Sequence, residues 1–302
     1  MNLAHLTYFT TLANTRSYRF AALEASVSQS TLSTAISGLE KELGATLFIR
    51  KKGSVELTEE GRIFYQYVTS SLKFLDDGIR LVKEKSGNHV REITIGTVNT
   101  AQSRNWSELI YEFRKETHGE VQVKVKQGPT PVTLDLLKRG AVDVAFCGTM
   151  GKDPEVITMP CWHQEATLVV NKRHPLSKRK SISLRELRDH YLISYNLEGP
   201  IGKELYNLIH GWELQIDCLY GDEITLGSMV AANPDVMAIA CNSWLLNAFE
   251  SEVVLVPIEE APENFHQLFF CFRSKADFPL VVKQFIDLTQ RLYPISDAEH
   301  EL

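Results

Sequence analysis

Long hydrophobic runs are missing from this chain of 302 residues, and none approaches the length that a helix needs to cross a bilayer. The first twenty residues, MNLAHLTYFTTLANTRSYRF, also lack the basic start and the clean apolar stretch of a signal peptide. An apolar content of 44% and a charged content of 23% argue against global disorder. We therefore predict a cytoplasmic globular protein of two or more domains, with no membrane partner.

Clustered cysteines are absent too. The five cysteines are odd in number and widely spaced, with no C-x-x-C motif and no Cys/His cluster: Cys147, Cys161, Cys218, Cys241 and Cys271. The nine histidines show no metal-ligand spacing, and the sequence contains neither a nucleophile elbow nor a phosphate-binding glycine loop. We expect buried, reduced thiols, no metal, no cofactor and no enzymatic activity.

A strong positive charge is also missing, since the formal net charge is −6. The charge is uneven along the chain, because residues 1–58 carry six Lys or Arg against four acidic residues while the remainder is acidic from residue 91 onward. A mildly basic segment on an acidic body is compatible with nucleic-acid binding, although so small an excess does not establish it.

Helical spacing dominates the first fifty residues. Ser17 is placed to cap a second helix over 18–25, Ser28 to cap a third, and Gly44 to end the third. The first helix is predicted from residues that recur at helical spacing, Leu3, Leu6, Phe9, Leu12 and Ala13. The residues predicted to face inward are Ala21, Ala22 and Leu23 in the second helix and the stripe Leu32, Ile36, Leu39 and Leu43 in the third. Three short helices joined by tight turns predict a helix-turn-helix unit.

The next segment predicts a small β-wing and then a long helix. LFIRKKGSVELT forms two extended pieces around a turn at 52–54, and Thr58 is placed to cap a helix from Glu59 to about Lys85. Its apolar positions follow the 4-3 spacing of a coiled coil: Tyr65, Val68, Leu72, Leu75, Ile79 and Val82. We favour a dimerising helix over a helix packed on its own domain.

From Arg91 onward, strand-like and helix-like stretches alternate, which predicts an α/β fold with a mainly parallel sheet. The strand-like runs are EITIGTV, VQVKVKQ, VDVAFCG, ATLVVN, YLISY, LQIDCLY, DVMAIA, VVLVPI and QLFFCFRS. The helix-like stretches are 103–117, 131–139, 183–189, 199–210, 224–232, 242–250 and 277–292. We expect the final strand and helix to return to the first of two lobes.

The N-terminal sequence resembles the winged helix-turn-helix of LysR-type transcriptional regulators. The resemblance runs through SYRFAALEASVSQSTLSTAISGLEKELGATLFIR and VELTEEG, and it includes the spacing of Gln29, Glu40, Arg50 and Gly61. It implies a winged helix-turn-helix over 1–58, a linker dimerisation helix and hinge over 59–88, and an effector-binding domain over 89–302 that resembles periplasmic binding proteins. Lobe I would comprise 89–162 and 268–302, and lobe II 163–267.

Polar side chains precede the apolar stripe of the third helix and make it a candidate DNA reader. Gln29 can form two hydrogen bonds to an adenine edge, and the basic wing residues can contact phosphates. The predicted DNA-binding residues are Ser28, Gln29, Ser30, Thr31, Ser33, Thr34, Arg50, Lys51 and Lys52. Residue type alone does not decide between this function and a merely solvated helix face. The resemblance favours DNA reading.

Short polar residues follow the predicted strands where helices begin, and helix N-termini offer N–H donors to ligands. The resemblance implies that such positions hold a small effector between the two lobes. The predicted effector-binding residues are Thr97, Asn99, Thr100, Gln102, Gly128, Thr130, Thr149, Ser194 and Asn196. The alternative for each is an N-cap or a loop residue. Their chemistry favours a small carboxylate or another anion.

The expected partners are double-stranded operator DNA, a small-molecule effector and further copies of the chain. The linker helix would form a homodimer, the effector domains would extend it to a homotetramer, and RNA polymerase is a further candidate. Two alternatives remain open. One is a regulator driven by cysteine oxidation, and the other is a two-lobed enzyme or solute receptor that carries an accessory helix-turn-helix.

Overall fold

The computed structural model describes residues 1–51, 54–86, 91–101 and 103–294, without the side chains at positions 50, 84 and 85. These residues form two compact units, one that ends with the long helix and one that holds almost all of the remainder. No helix in the described ranges combines the length and the apolarity that a membrane-crossing segment requires.

The N-terminal unit begins with three short helices, α1 (Leu3–Thr15), α2 (Tyr18–Glu24) and α3 (Gln29–Leu43). The predicted caps are confirmed. The Ser17 and Ser28 side chains accept hydrogen bonds from the backbone N–H groups of Phe20 and Thr31, and Gly44 ends α3 with φ 65°. The predicted burial of Leu23 and Leu43 is wrong, because they are 75% and 39% exposed. Each helical residue turns about 100°, so position 23 faces away from the buried Ala21.

The wing and the long helix follow as predicted. Strands β1 (Phe48–Lys51) and β2 (Ser54–Leu57) pair antiparallel, and α4 runs from Glu59 to Lys85. The Thr58 hydroxyl accepts the N–H of Gly61 at 2.9 Å. A Cβ at Gly61 would lie 2.1 Å from the Leu47 carbonyl oxygen, so only glycine allows this close approach.

The apolar seam of α4 divides into two parts. Tyr65 and Val68 are buried in the N-terminal core, and Leu72 packs against that core. Leu75 and Ile79 are exposed in the C-terminal half of the helix, as is Val82. The first half of α4 is therefore packed on its own domain, which was the alternative to a dimerising helix. The second half of α4 presents an apolar face that nothing in the described chain covers.

The C-terminal unit contains two five-stranded sheets. The first has the strand order β4 (Val121–Gln127), β3 (Arg91–Thr97), β5 (Val144–Cys147), β12 (His266–Arg273), β6 (Val156–Gln164). The second has the order β11 (Val253–Pro257), β7 (Ala166–Asn171), β10 (Met237–Cys241), β8 (Tyr191–Tyr195), β9 (Gln215–Tyr220). Each sheet is covered by its own hydrophobic core.

The prediction of a mainly parallel sheet is wrong. Among the strands that the structure describes, β3 pairs parallel with β4 and β5, and β8 pairs parallel with β9 and β10, but β12 and β7 run antiparallel to both of their neighbours. The reversed strands lie next to the two crossings between the sheets. The chain enters the second sheet at β7 and returns to the first at β12, so each sheet is mixed.

Strand β6 has no counterpart among the predicted strands. Its sequence, VITMPCWHQ, carries a proline and has the irregular burial pattern of a bulged strand. The register with β12 shifts between Leu268 and Phe269, and Phe269 pairs with Pro160. Proline is tolerated in a sheet at such bulges, because a ladder hydrogen bond is already lost there.

The helices of this unit are α5 (Arg104–Glu116), α6 (Thr130–Lys138), α7 (Gly199–Ile209), α8 (Glu223–Ala232) and α9 (Leu280–Leu292). The stretches predicted as helices at 183–189 and 242–250 are short 3-10 helices, Leu184–Leu187 and Trp244–Phe249. The first sheet extends to Gln164 and resumes at His266, two residues beyond the lobe limits that the sequence predicts. The domain limits themselves stay predictions.

Candidate functional site

The N-terminus of α3 presents a polar surface. Ser28, Gln29, Ser30, Thr31 and Thr34 are exposed and Ser33 is half-buried, while Leu32, Ile36 and Leu39 of the same helix are buried. The Ser28 hydroxyl lies 2.8 Å from the Ser30 hydroxyl and 2.7 Å from the Thr31 hydroxyl, so these three side chains form a capping cluster. Gln29 has no side-chain hydrogen bond among the described residues and is available to a ligand.

The wing carries an ion pair that changes its electrostatics. The Lys51 ammonium lies 2.8 Å from the Glu56 carboxylate, and its hydrogen bond lowers the pKa of Glu56 below the ordinary value. An exposed pair of this kind contributes little to stability. It does mean that a phosphate must compete with Glu56 for Lys51. Lys52 and the side chain of Arg50 lie outside the described residues.

Two further cations near the wing were not predicted from the sequence. Arg16 and Arg62 also lower the pKa of Glu56 electrostatically, and both side chains are exposed. The Arg16 carbonyl accepts the backbone N–H of Val55 at 2.9 Å, which joins the end of α1 to strand β2. Arg16 is far from the wing in sequence, and the end of α1 brings it there, whereas Arg62 lies in the first turn of α4, directly after β2.

A cavity of about 420 Å³ lies between the two lobes of the C-terminal unit. Residues 98–100 and 127–131 line it from the first sheet, and residues 195–196, 198–201 and 220–221 line it from the second, together with His266. These segments follow the carboxyl ends of β3, β4, β8 and β9. The first turns of α6 and α7 contribute Thr130 and Gly199. Helix N-termini at strand ends suit the binding of small polar ligands.

Five of the predicted effector-binding residues line this cavity: Asn99, Thr100, Gly128, Thr130 and Asn196. Thr100 and Thr130 are largely buried. The Thr130 hydroxyl accepts the backbone N–H of Gly148 at 3.2 Å, which orients it at the start of α6. Their location is a finding, and their role in effector binding stays a prediction.

Three predicted effector-binding residues lie outside this lining. Thr97 is fully buried and its hydroxyl donates to the Val98 carbonyl at 3.1 Å. Ser194 is also fully buried and donates to the Ile239 carbonyl at 2.6 Å. The Thr149 hydroxyl accepts the Gly151 N–H in a turn at 3.1 Å. In each case a backbone partner within the same lobe satisfies the hydroxyl. Gln102 lies outside the described residues.

The sequence analysis missed two buried titratable groups, Tyr195 in the cavity lining and Glu223, which is bonded to it. The Tyr195 hydroxyl donates to Glu223 Oε1 at 2.5 Å and accepts the Cys241 N–H at 2.8 Å. Burial raises the pKa of Tyr195 and of Glu223. Glu223 Oε2 has no hydrogen-bond partner within the described chain. No local motif marks these residues, because the strands and helices that carry them are distant in sequence.

The predicted burial of the cysteines holds for three of the five, whereas Cys161 and Cys218 are partly exposed. All five thiols are unpaired, with Cys147, Cys241 and Cys271 buried. Burial raises the pKa of the Cys161, Cys218 and Cys241 thiols, which disfavours the reactive thiolate. No grouping of metal-ligating side chains occurs in the described ranges. The oxidation-driven alternative therefore receives no support from this geometry.

Comparison with known families assigns both units. The sequence model described as "Bacterial regulatory helix-turn-helix protein, lysR family" matches residues 3–62. The model described as "LysR substrate binding domain" matches residues 86–293. Together these matches cover the polar surface of α3, the wing and the cavity between the lobes.

Individual relatives agree with these assignments. The chain is 28% identical over 261 residues to the HTH-type transcriptional regulator BenM of Acinetobacter baylyi, across 84% of this chain and 85% of BenM. Full-length CbnR complexed with target DNA is similar, with a TM-score of 0.68 at 19% identity, over 96% of this chain and 99% of that one. The effector binding domain of QuiR in complex with shikimate gives 0.59 at 23% identity, over 68% and 98%. These two structural matches establish the fold.

Proposed function

The chain belongs to the LysR family of bacterial transcriptional regulators and is not an enzyme, and we propose which of its residues read DNA and which bind the effector. The regulator reads operator DNA through the polar N-terminus of α3 and senses a small anion in the cavity between its lobes. A protein that meets chromosomal DNA in a bacterium acts in the cytoplasm, and we propose that location for it.

DNA reading is assigned to Gln29 on a single observation. Its side chain is exposed at the start of a recognition-type helix without a hydrogen bond in the described chain, whereas the Ser28, Ser30 and Thr31 hydroxyls bond to one another. A free amide at this position can form two hydrogen bonds to an adenine in the major groove. Ser33 and Thr34 extend the same surface, and Arg50, Lys51 and Lys52 supply wing contacts to the phosphates.

The assignment is tested by selecting binding sites from random DNA with the purified regulator. Gln29→Ala should relax the base preference at one position of each half-site, because only that contact is removed. Lys51→Ala serves as the matched control. It should weaken binding to all sequences alike and reduce the salt dependence by about one unit of slope. An unaltered base preference in Gln29→Ala would remove the residue from the reading surface.

The cavity is assigned to a small anionic effector. Its volume of about 420 Å³ suits a metabolite-sized ligand, and its lining brings two helix N-termini together with the hydroxyls of Thr100 and Thr130. Asn99, Gly128 and Asn196 complete the predicted contacts. The similar domain of QuiR is in complex with shikimate, a small carboxylate, which supports an anion as the ligand class.

The effector site is tested with Thr100→Val in the full-length regulator. Valine keeps the size of the side chain and removes its hydroxyl, and the loss of one neutral hydrogen bond costs about 1 kcal/mol. The affinity of the effector should fall roughly fivefold. Thr149→Val is the control, because that threonine lies outside the lining. Equal effects of the two substitutions would place the effector elsewhere.

Self-association is assigned to the second half of α4. Phe74, Leu75, Ile79 and Val82 are exposed on that half and form a groove with Gly78 and Lys83. Pairing of two such helices would bury these apolar side chains. We propose a homodimer through this face and a homotetramer through the effector domains. RNA polymerase is proposed as a partner of the DNA-bound form.

A further inference from the structure

A histidine forms part of the cavity lining at the floor of the cleft. His266 is the first residue of β12 and pairs with Gln164 of β6, where the chain crosses between the lobes. Its residue surface is 3% exposed, yet it is among the residues that line the cavity. A ligand that fills the cavity to its floor must therefore meet this imidazole.

One nitrogen of the ring is already occupied. His266 Nδ1 lies 2.5 Å from the Glu204 carboxylate, which extends from α7 in the other lobe. A carboxylate on one nitrogen fixes the orientation of an imidazole. No hydrogen bond to Nε2 is found among the described residues, so this second nitrogen is free for a ligand.

The charges around the ring are few. Glu204 approaches from α7 and Glu223 from α8, while Gln164 on the neighbouring strand is uncharged. Burial raises the pKa of Glu223, which favours its neutral form and leaves Glu204 as the main carboxylate on the ring. The Tyr195 hydroxyl is bound to Glu223.

The cavity as a whole is poor in positive charge. Within the described part of the lining, Glu198 is acidic and His266 is the one side chain that can become a cation. The helix N-termini contribute only partial positive charge. A protonated His266 would therefore be the one full positive charge that an anion can meet in that part of the lining.

We propose that His266, held by Glu204, is a proton-dependent subsite for an anionic oxygen of the effector. This inference rests on the cleft being the effector site. Binding places the anion on the Nε2–H of the imidazolium, so that a proton is taken up together with the effector. A bound anion close to the ring favours the imidazolium over the neutral imidazole.

The sign of the pH effect follows from this proton uptake. In the pH range in which the empty cleft holds a neutral imidazole, each effector molecule binds together with one proton. The apparent dissociation constant of the effector therefore increases up to about tenfold for each unit by which the pH is raised. At lower pH, where the ring is already protonated, the affinity is independent of pH. The regulator would then respond to the same effector concentration more strongly in a mildly acidic cell.

The test uses full-length regulator and matched pairs of charged and uncharged probes. Benzoate is compared with benzamide, succinate with succinamide and shikimate with its methyl ester, first by thermal shift at pH 6 and pH 8. The tightest binder is then titrated calorimetrically at three pH values, in buffers of different ionisation enthalpy that count the protons taken up. We expect the anions alone to stabilise the protein, more strongly at pH 6, with uptake approaching one proton.

Two substitutions locate the proton. His266→Gln keeps a hydrogen-bond donor but cannot be charged, so its affinity should not vary with pH and should match that of the wild type at pH 8. In Glu204→Gln, the loss of effector affinity with rising pH should begin at a lower pH than in the wild type. A purely structural role of Glu204 would not produce such a shift. If His266→Gln does not fold, Glu204→Gln still tests the subsite. His163→Gln is the matched control, an exposed histidine outside the lining that should leave the pH dependence unchanged.

The outcomes separate this inference from the proposed function. If Thr100→Val weakens anion binding while His266→Gln keeps the pH dependence of the wild type, the subsite is wrong and the cleft assignment stands. If neither variant alters anion binding, the cleft assignment fails as well. Failure of every anion to stabilise the wild type at either pH, or stabilisation by the uncharged probes alone, would also overturn the subsite.

Discussion

Gly148 is the position at which a single methyl group should act on the two lobes of the cleft. It follows β5 in the first lobe, and a Cβ built there would lie 2.9 Å from both Cβ and Cγ of Pro200 in α7 of the second lobe. Carbon atoms pack at about 3.5–4.0 Å, so Gly148→Ala requires the lobes to separate locally by roughly 0.6–1.1 Å. The Gly148 N–H that donates to Thr130 is retained in the variant.

Overpacking of this kind costs about 1–3 kcal/mol. This free-energy cost arises only while Gly148 and Pro200 are in contact, and it is relieved when the lobes move apart. An effector that bridges the lobes must hold them together despite this cost, so the affinity of the effector should fall roughly 5- to 150-fold. Isothermal titration of the effector into full-length regulator measures this loss directly.

The double variant Gly148→Ala/Pro200→Gly provides the control. Removal of the proline ring makes room for the new methyl group, so affinity should recover relative to Gly148→Ala alone, after correction for Pro200→Gly by itself. The reasoning would be refuted by a Gly148→Ala variant that binds the effector within twofold of the wild type. It would equally fail if the two substitutions were additive.

Three further predictions concern the pH dependence of stability, the N-terminal core and self-association. Burial raises the pKa of Glu223 in the folded state, so the wild type should lose stability as the pH rises from the ordinary carboxyl value of 4.5 through that raised value. Glutamine cannot ionise. The difference in thermal midpoint between Glu223→Gln and the wild type should therefore favour the variant more at pH 8 than at pH 5. Leu39→Ala should lower the free energy of unfolding by about 2–5 kcal/mol, because Leu39 is fully buried. Leu23 is exposed, so Leu23→Ala should change the free energy of unfolding by less than about 0.5 kcal/mol. Equal urea midpoints of the two variants would contradict this prediction. Ile79→Asp should dissociate the assembly without unfolding the chain, and an unchanged sedimentation coefficient would exclude the α4 face.

Local signals in the sequence predicted the N-terminal unit closely. Ser17, Ser28 and Thr58 are caps whose side chains act on backbone groups three residues later, and Gly44 adopts a backbone conformation that glycine favours. Interactions this short do not depend on the rest of the fold. The error at Leu23 arose where a seven-residue helix is too short for periodicity to identify its buried side.

The cleft was predicted only in part, for the same physical reason. Asn99, Thr100 and Thr130 stand at strand ends before helices, a local pattern that places them at the lobe interface. Thr97 and Ser194 fit the same pattern of residue types, yet backbone carbonyls satisfy their hydroxyls. Which polar group faces a cavity depends on which hydrogen bonds the neighbouring strands complete, and that is not encoded within a few residues.

The amino-acid sequence alone determined the helix caps, the long α4 helix, most of the strands and the membership of a family, because these depend on short-range spacing. Tertiary structure decided the mixed direction of the sheets, the buried half of the α4 seam and the composition of the cleft floor. His266, Glu204 and Glu223 come from three separate elements, β12, α7 and α8, and no spacing in the chain relates them. Only the return of β12 into the first sheet brings them together, and with them the one side chain of the described lining that can become a cation.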